Sequence, residues 1–266
     1  MLTHRPFWPA LALIFAGAVC LAQNREGGGF RAAFPDDSLY LAGRHVYERH
    51  CLVCHGERGD GRGEMAKEMF PKPRPFKDGV FKYSTTPAGK LPTNDDLRRV
   101  IRQGISGTSM PVFDKLSDGE VRAVIEYVKA FSPRWRKPEN YAPPLEVPEP
   151  PGWFDDETVL RQRAAKGGEM FAAACASCHG DKGEGNGPAA ASLKDAWEQP
   201  APPADLRRGG LRNGTEHRDL QRVMMKGIDG TPMAAFQEAL TEEQRWELVA
   251  FIQQLRREHE AERGRR

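Results

Sequence analysis

Two pentapeptides constrain this chain more than any other feature: C-L-V-C-H at residues 51–55 and C-A-S-C-H at residues 175–179. Each sets two cysteines three apart with a histidine next to the second, so all three side chains share one turn of helix. Thiols so placed can each form a thioether to a haem vinyl group while the imidazole reaches the iron. This is the attachment pattern of c-type haem. It occurs twice, each time with glycine directly after the histidine, at Gly56 and Gly180. A covalently held porphyrin also changes the folding problem. A domain of about 100 residues with few apolar side chains is marginal alone, and the porphyrin can serve as the centre of its core.

Other uses of C-x-x-C make further demands. A zinc site needs four ligands, which two C-x-x-C-H pieces could supply between them. A thioredoxin-like dithiol wants a βαβ setting, and no such pattern of strands is present. The chain has five cysteines, and the haem reading uses Cys51, Cys54, Cys175 and Cys178. The fifth, Cys20, falls in a segment with the layout of an export signal. Residues 1–5 are basic, the stretch from Phe7 to Ala22 is mostly apolar, and Cys20-Leu21-Ala22 suits cleavage before Gln23. Residues 1–22 are therefore expected to be a signal peptide, with a retained membrane anchor as the alternative. The apolar run is short against the roughly 20 residues of a membrane span. A periplasmic or otherwise exported location follows from either reading, since c-type haem is attached outside the bacterial cytoplasm in proteins of this kind.

The signatures stand 124 residues apart, and other features recur at nearly that interval. Gly43 and Tyr47 precede the first, Gly167 and Phe171 the second. H-G-E-R-G-D-G-R-G follows the first, H-G-D-K-G-E-G-N-G the second. R-Q-G-I-S-G-T-S-M ends at Met110 and M-K-G-I-D-G-T-P-M at Met233. Each repeat closes on a predicted helix that opens with a capping box: Ser117 with Glu120, then Thr241 with Gln244. The expected organisation is a first domain over 33–132, a Pro-rich acidic connector over 133–157, a second domain over 158–257 and a charged tail over 258–266. Both repeats read as helical. The connector, with Pro143, Pro144, Pro148, Pro150 and Pro151, favours extended backbone and should act as a semi-rigid strap. Its Trp135, Tyr141, Trp153 and Phe154 suggest that it docks on a domain surface in places.

A haem iron held by one histidine needs a second axial group or an open position. Met110 lies 55 residues after His55, and Met233 lies 54 after His179. Any single methionine is more often core filler, but here the methionine and its whole loop are duplicated. Met65, Met69, Met170, Met224 and Met225 have no matched partner, and packing accounts for them. Among histidines, His45 and His50 precede the first signature, with His50 expected to face away from the iron. His217 matches Asn94 at a helix start, which points to a terminus or surface role. The clusters Gly59-Asp60-Gly61 and Gly183-Glu184-Gly185 read as turns, because no strand precedes them and no Lys-Ser/Thr follows. Lys82 and Arg212 occupy matching places in the repeats and could neutralise haem carboxylates or be surface charge.

With these residues in view, the chain resembles two class I c-type cytochromes in tandem. The likeness covers about residues 34–132 and 158–257. It implies an all-α fold of two small helical bundles joined by a Pro-rich linker, each bundle wrapped round one covalently bound haem c. It implies His55 with Met110, and His179 with Met233, as axial ligands of the iron. It also pairs an aromatic near the first helix with one on the last: Tyr47 with Tyr127, and Phe171 with Trp246 or Phe251. Family members set a proline soon after the signature, whose carbonyl orients the histidine. Pro188 matches in the second repeat, but its counterpart in the first is Glu64, so Pro73 or a neighbour is expected to serve His55.

What the resemblance implies is electron transfer rather than a chemical transformation, in a respiratory chain or between periplasmic partners, with no catalytic residue. The alternative is a di-haem oxidoreductase of peroxidase type, which needs one open iron and acid–base groups beside it. Matched methionines in both repeats argue for the carrier. Net charge is +2, but residues 33–137 hold 19 Lys and Arg against 14 Asp and Glu, while residues 138–157 hold six acids and no base. A basic first domain suggests a redox protein partner with an acidic surface, met through Lys72, Arg74, Lys77, Lys82 and Lys90. Nucleic-acid binding is not supported, since the chain lacks a basic helix and carries an export signal.

Overall fold

The computed structural model describes residues 37–208, 211–214 and 216–265. The expected signal peptide and Cys20 lie outside the described residues. Among those described, secondary structure is helical, with one isolated bridge between Lys194 and Pro200 in place of any sheet.

The first domain rests on two crossed helices, α1 (Asp37–His50) and α4 (Asp118–Ala130). Helix α1 has Asp37 in its first turn and Arg49 and His50 in its last, the charge order that suits the helix dipole. Helix α4 is started by the expected capping box: Glu120 N–H donates to Ser117 Oγ (3.2 Å), and Ser117 N–H donates to Glu120 Oε2 (2.8 Å). The helices cross where α1 has no side chain. A Cβ at Gly43 would lie 2.1 Å from the Ala123 carbonyl oxygen. One turn on, the Tyr47 and Tyr127 rings sit 5.1 Å apart, and Val46, Val121, Val124 and Ile125 fill the core between. Short α2 (Leu52–His55) follows α1 through Cys51, and α3 (Asn94–Gln103) is capped by Thr93 and Asp96.

The second domain repeats this plan. Helix α5 (Glu157–Ala174) runs into α6 (Ala176–His179), α7 (His217–Lys226) stands where α3 does, and α8 (Glu242–Gly264) closes the unit. Here Gly167 makes the close approach, its missing Cβ 2.0 Å from the Glu247 carbonyl oxygen. Phe171 meets Phe251 at 5.2 Å, while Trp246 packs on Phe154 of the strap. Of the two aromatics the sequence offered to Phe171, Phe251 makes the ring contact, and Trp246 serves the strap instead.

The strap is pinned along most of its length. Trp135 is buried in the first core and Tyr141 Oη donates to its carbonyl (2.6 Å). Leu91 N–H donates to the Asn140 carbonyl (2.9 Å), and Leu145 N–H to that of Thr85 (2.8 Å). Val147 is buried and its carbonyl accepts from Arg218 of the second domain (2.8 Å). Trp153 and Phe154 then join the second core.

The two domains also touch directly. Lys82 Nζ pairs with Asp195 (2.9 Å), Lys226 Nζ donates to Ser84 Oγ (3.2 Å), and Gly89 N–H donates to Asp229 (2.8 Å). Trp197 is wedged into this seam. Its Nε1–H donates to Asp78 (2.7 Å) and its ring carries the Arg74 guanidinium 3.7 Å above it. These contacts correct the expected docking ring. Lys82 pairs with Asp195 of the second domain and Arg74 stacks on its Trp197, so neither is free to meet an outside protein.

Candidate metal centres

In the first domain, Cys51, Cys54, His55 and Met110 all line one cleft, walled by Leu97, Ile101, Val124, Ile125 and Val128. The cleft encloses about 1330 Å³ of space counted out through its open mouth. Its largely apolar walls suit a porphyrin. The chain reaches it through the cysteine turn: His55 N–H donates to the Cys51 carbonyl (2.9 Å), and Gly56 then turns away at φ +78°. Tyr47 Oη donates to the Gly56 carbonyl (2.7 Å), tying this turn to α1.

The chemistry of the donor set fits covalent haem. His55 Nδ1 lies 3.2 Å from the Arg74 carbonyl. A carbonyl only accepts, so Nδ1 carries the proton and the Nε2 lone pair is left to bind metal. Burial lowers the His55 pKa to about 4, which keeps the imidazole neutral as a ligand must be. Phe76 stacks on the ring at 4.5 Å and limits its rotation. Burial, with the neighbouring cysteine second, pushes Cys51 up to about 12 and Cys175 up to about 11. Redox dithiols work through thiolates at depressed pKa, so these pairs are built against that use. Among the described residues no cluster of three or more His, Cys, Asp or Glu could hold a bare ion such as zinc.

Met110 ends a tight loop. Its N–H donates to Thr108 Oγ1 (3.1 Å) and its carbonyl accepts from Ile105 N–H (3.2 Å). Met233 repeats this bond for bond: its N–H donates to Thr231 Oγ1 (3.2 Å) and its carbonyl accepts from Ile228 N–H (3.0 Å). The second cysteine turn is likewise a copy, with His179 N–H on the Cys175 carbonyl (2.9 Å) and Gly180 at φ +75°.

The carbonyl serving His55 is that of Arg74, the neighbour of Pro73, as expected. Other expectations need correction. In the second repeat the counterpart is Ala204, next to Pro203, and not Pro188. Ala204 raises the His179 pKa against the lowering by burial, yet His179 Nδ1 has no partner of ordinary hydrogen-bond geometry. His50 borders the first cleft rather than turning from it, packed edge-on to Phe113 at 6.1 Å. Met69 also borders the cleft, and Met65 is 52% exposed, so core packing does not account for it. His217 begins α7 and lies on Phe154 at 4.8 Å, a packing role at a helix start. The glycine clusters are turns, with Gly59, Gly61, Gly183 and Gly185 all at positive φ.

Known proteins agree with this picture. The "Cytochrome c" family model matches residues 164–256, and "Cytochrome C oxidase, cbb3-type, subunit III" matches residues 39–128. The chain is 29% identical over 159 residues to a thiosulfate dehydrogenase of Stutzerimonas stutzeri, covering 58% of this chain and 45% of that one. It is 26% identical over 196 residues to the cytochrome bc1 complex cytochrome c subunit of Mycobacterium bovis, covering 71% and 61%. The chain thus spans roughly half of the length of these curated relatives. Among solved structures, a chain of the Kuenenia stuttgartiensis reducing HAO-like protein complex superposes with a TM-score of 0.74. The two are 32% identical, over 80% of this chain and 95% of that one.

Proposed function

Because the chain belongs to the c-type cytochromes, with two cytochrome c domains in tandem and haem c bound covalently, we propose that it passes single electrons between redox proteins through two His/Met-ligated irons. Cys51 and Cys54 would hold one haem and Cys175 and Cys178 the other. His55 with Met110, and His179 with Met233, would be the axial ligands. Bound haem supplies an iron that accepts and returns one electron, at a potential raised by thioether ligation.

One observation carries this reading: His55 and Met110 share one apolar cleft, and the hydrogen bonds that shape the Met110 loop recur at Met233. The residues of the chain would then act by holding still. The Arg74 carbonyl and Phe76 fix the His55 ring, and the Thr108 and Thr231 hydroxyls fix the methionine loops. The apolar walls exclude water, so the surroundings change little when the charge at the centre changes. A saturated iron has no position for a substrate, which separates this reading from a peroxidase-type enzyme. Export from the cytoplasm suits the haem attachment. A redox partner with an acidic face would meet the exposed Lys77 and Lys72.

Redox titration of the purified protein with visible spectra tests the proposal. The expected result is two haems per chain, not extractable by acidified organic solvent, both low-spin with the charge-transfer band of methionine-ligated ferric iron. A high-spin signal from half the haem would instead support the enzyme.

A further inference from the structure

Lys82 and Arg212 hold matching places in the two repeats, so symmetry would have each serve its own domain. The structure breaks that symmetry. Arg212 of the second domain lines the first domain's cleft, beside Arg74, Lys82 and Tyr83. It is held there by the loop that carries Met110: Nε lies 3.4 Å from the Ser106 carbonyl and Nη2 3.3 Å from that of Gly107.

The three cations are poorly balanced. Asp195 takes Lys82 (2.9 Å), with side chains only 6% and 15% exposed, and Asp78 is occupied by the Trp197 indole (2.7 Å). Arg74 stacks on the Trp197 ring (3.7 Å) and pairs with no carboxylate among the described residues. A partly buried guanidinium with five donors and acids only at a distance, Asp195 and Asp78, is costly unless an anion meets it. The cluster faces the cleft proposed for a porphyrin, and a porphyrin of the haem type carries two carboxylate side chains.

We propose that Arg74, Lys82 and Arg212 form a carboxylate site across the domain junction, that it receives the carboxylates of the first haem, and that the second domain thereby completes the first haem site. The inference rests on the first cleft holding haem. It does not depend on which side chain is the sixth ligand.

The test uses the full-length holoprotein and spectroelectrochemistry. Removing a cation beside the haem favours the ferric state. Arg212→Gln should therefore lower one of the two midpoints and leave the other in place. The expected size is about a tenfold rise in the ferric-to-ferrous ratio at fixed potential, or about 59 mV for one electron. In a Met233→Ala background, where only the first haem keeps its charge-transfer band, the shifted midpoint should be the one bearing the band. Arg212→Lys keeps the charge but loses the forked contact to Ser106 and Gly107, and should restore most of the shift. Added citrate should leave the parent midpoints unchanged. Unmoved midpoints in Arg212→Gln would overturn the proposal. So would an Arg212→Lys protein as altered as Arg212→Gln, which would mean a purely structural clamp, or a parent midpoint that follows citrate, which would mean a site open to solutes. If both methionine variants keep the parent spectrum, the axial assignment fails while the Arg212→Gln shift still stands.

Discussion

Met110 and Met233 end loops of one shape, so replacing either should have matched and separable effects. Met110→Ala and Met233→Ala should each remove one charge-transfer band, open one iron to water and lower one midpoint, because thioether ligation holds the potential up. Visible spectra with redox titration would read both, and unchanged spectra in both variants would sink the assignment. The matched loops that end in these methionines were legible because a repeated segment leaves a mark in the sequence. The support for His55 was legible only to within a residue, as Pro73 or a neighbour, because it comes from a backbone carbonyl that any residue could present. Arg74→Ala should accordingly keep the imidazole in place, with the His55–carbonyl bond intact, while losing the cation that lies on Trp197. Pro188 misled for the same reason: proline marks a favourable turn, but the carbonyl that faces His179 belongs to Ala204.

At the scale of the helices, the crossings α1 on α4 and α5 on α8 depend on two absent side chains. Gly43→Ala would push a methyl to 2.1 Å from the Ala123 carbonyl oxygen, and Gly167→Ala to 2.0 Å from that of Glu247. Backbone must move in either case, at a cost of about 1–3 kcal/mol as for other overpacked cores. Thermal unfolding followed by the haem absorbance should show each change in its own domain. A smaller loss, about 1 kcal/mol, is expected from Ser117→Ala, which removes the cap of α4. The closing helices and their caps were readable because capping boxes and apolar spacing are local. Short α2 and α6 were readable only as cysteine turns. What no local pattern could give was the distribution of roles between Trp246 and Phe251: one packs on the strap, the other on Phe171.

Across the whole molecule, the excess positive charge of the first domain is met partly from within. Asp195 takes Lys82 across the junction. Charge counting along the chain therefore suggested an outside acidic partner for side chains that the second domain already occupies. Which surfaces meet is a matter of long-range packing, and no motif records it. Asp195→Asn should weaken the junction by about 1–3 kcal/mol, since it removes the charge-assisted bond that joins Lys82 to the second domain. Small-angle scattering should then report a longer particle, and an unchanged particle would mean that the Trp197 wedge suffices alone. The pinned strap adds a consequence in kinetics. With Leu145 held on the first domain and Val147 and Trp153 on the second, the tether between domains is a handful of residues, and the junction has a very high effective concentration. Neither domain has to find the other by diffusion. Electron exchange between the two centres should therefore be first-order, independent of protein concentration, and insensitive to added viscogen. Exchange with any outside protein should slow as the solvent thickens.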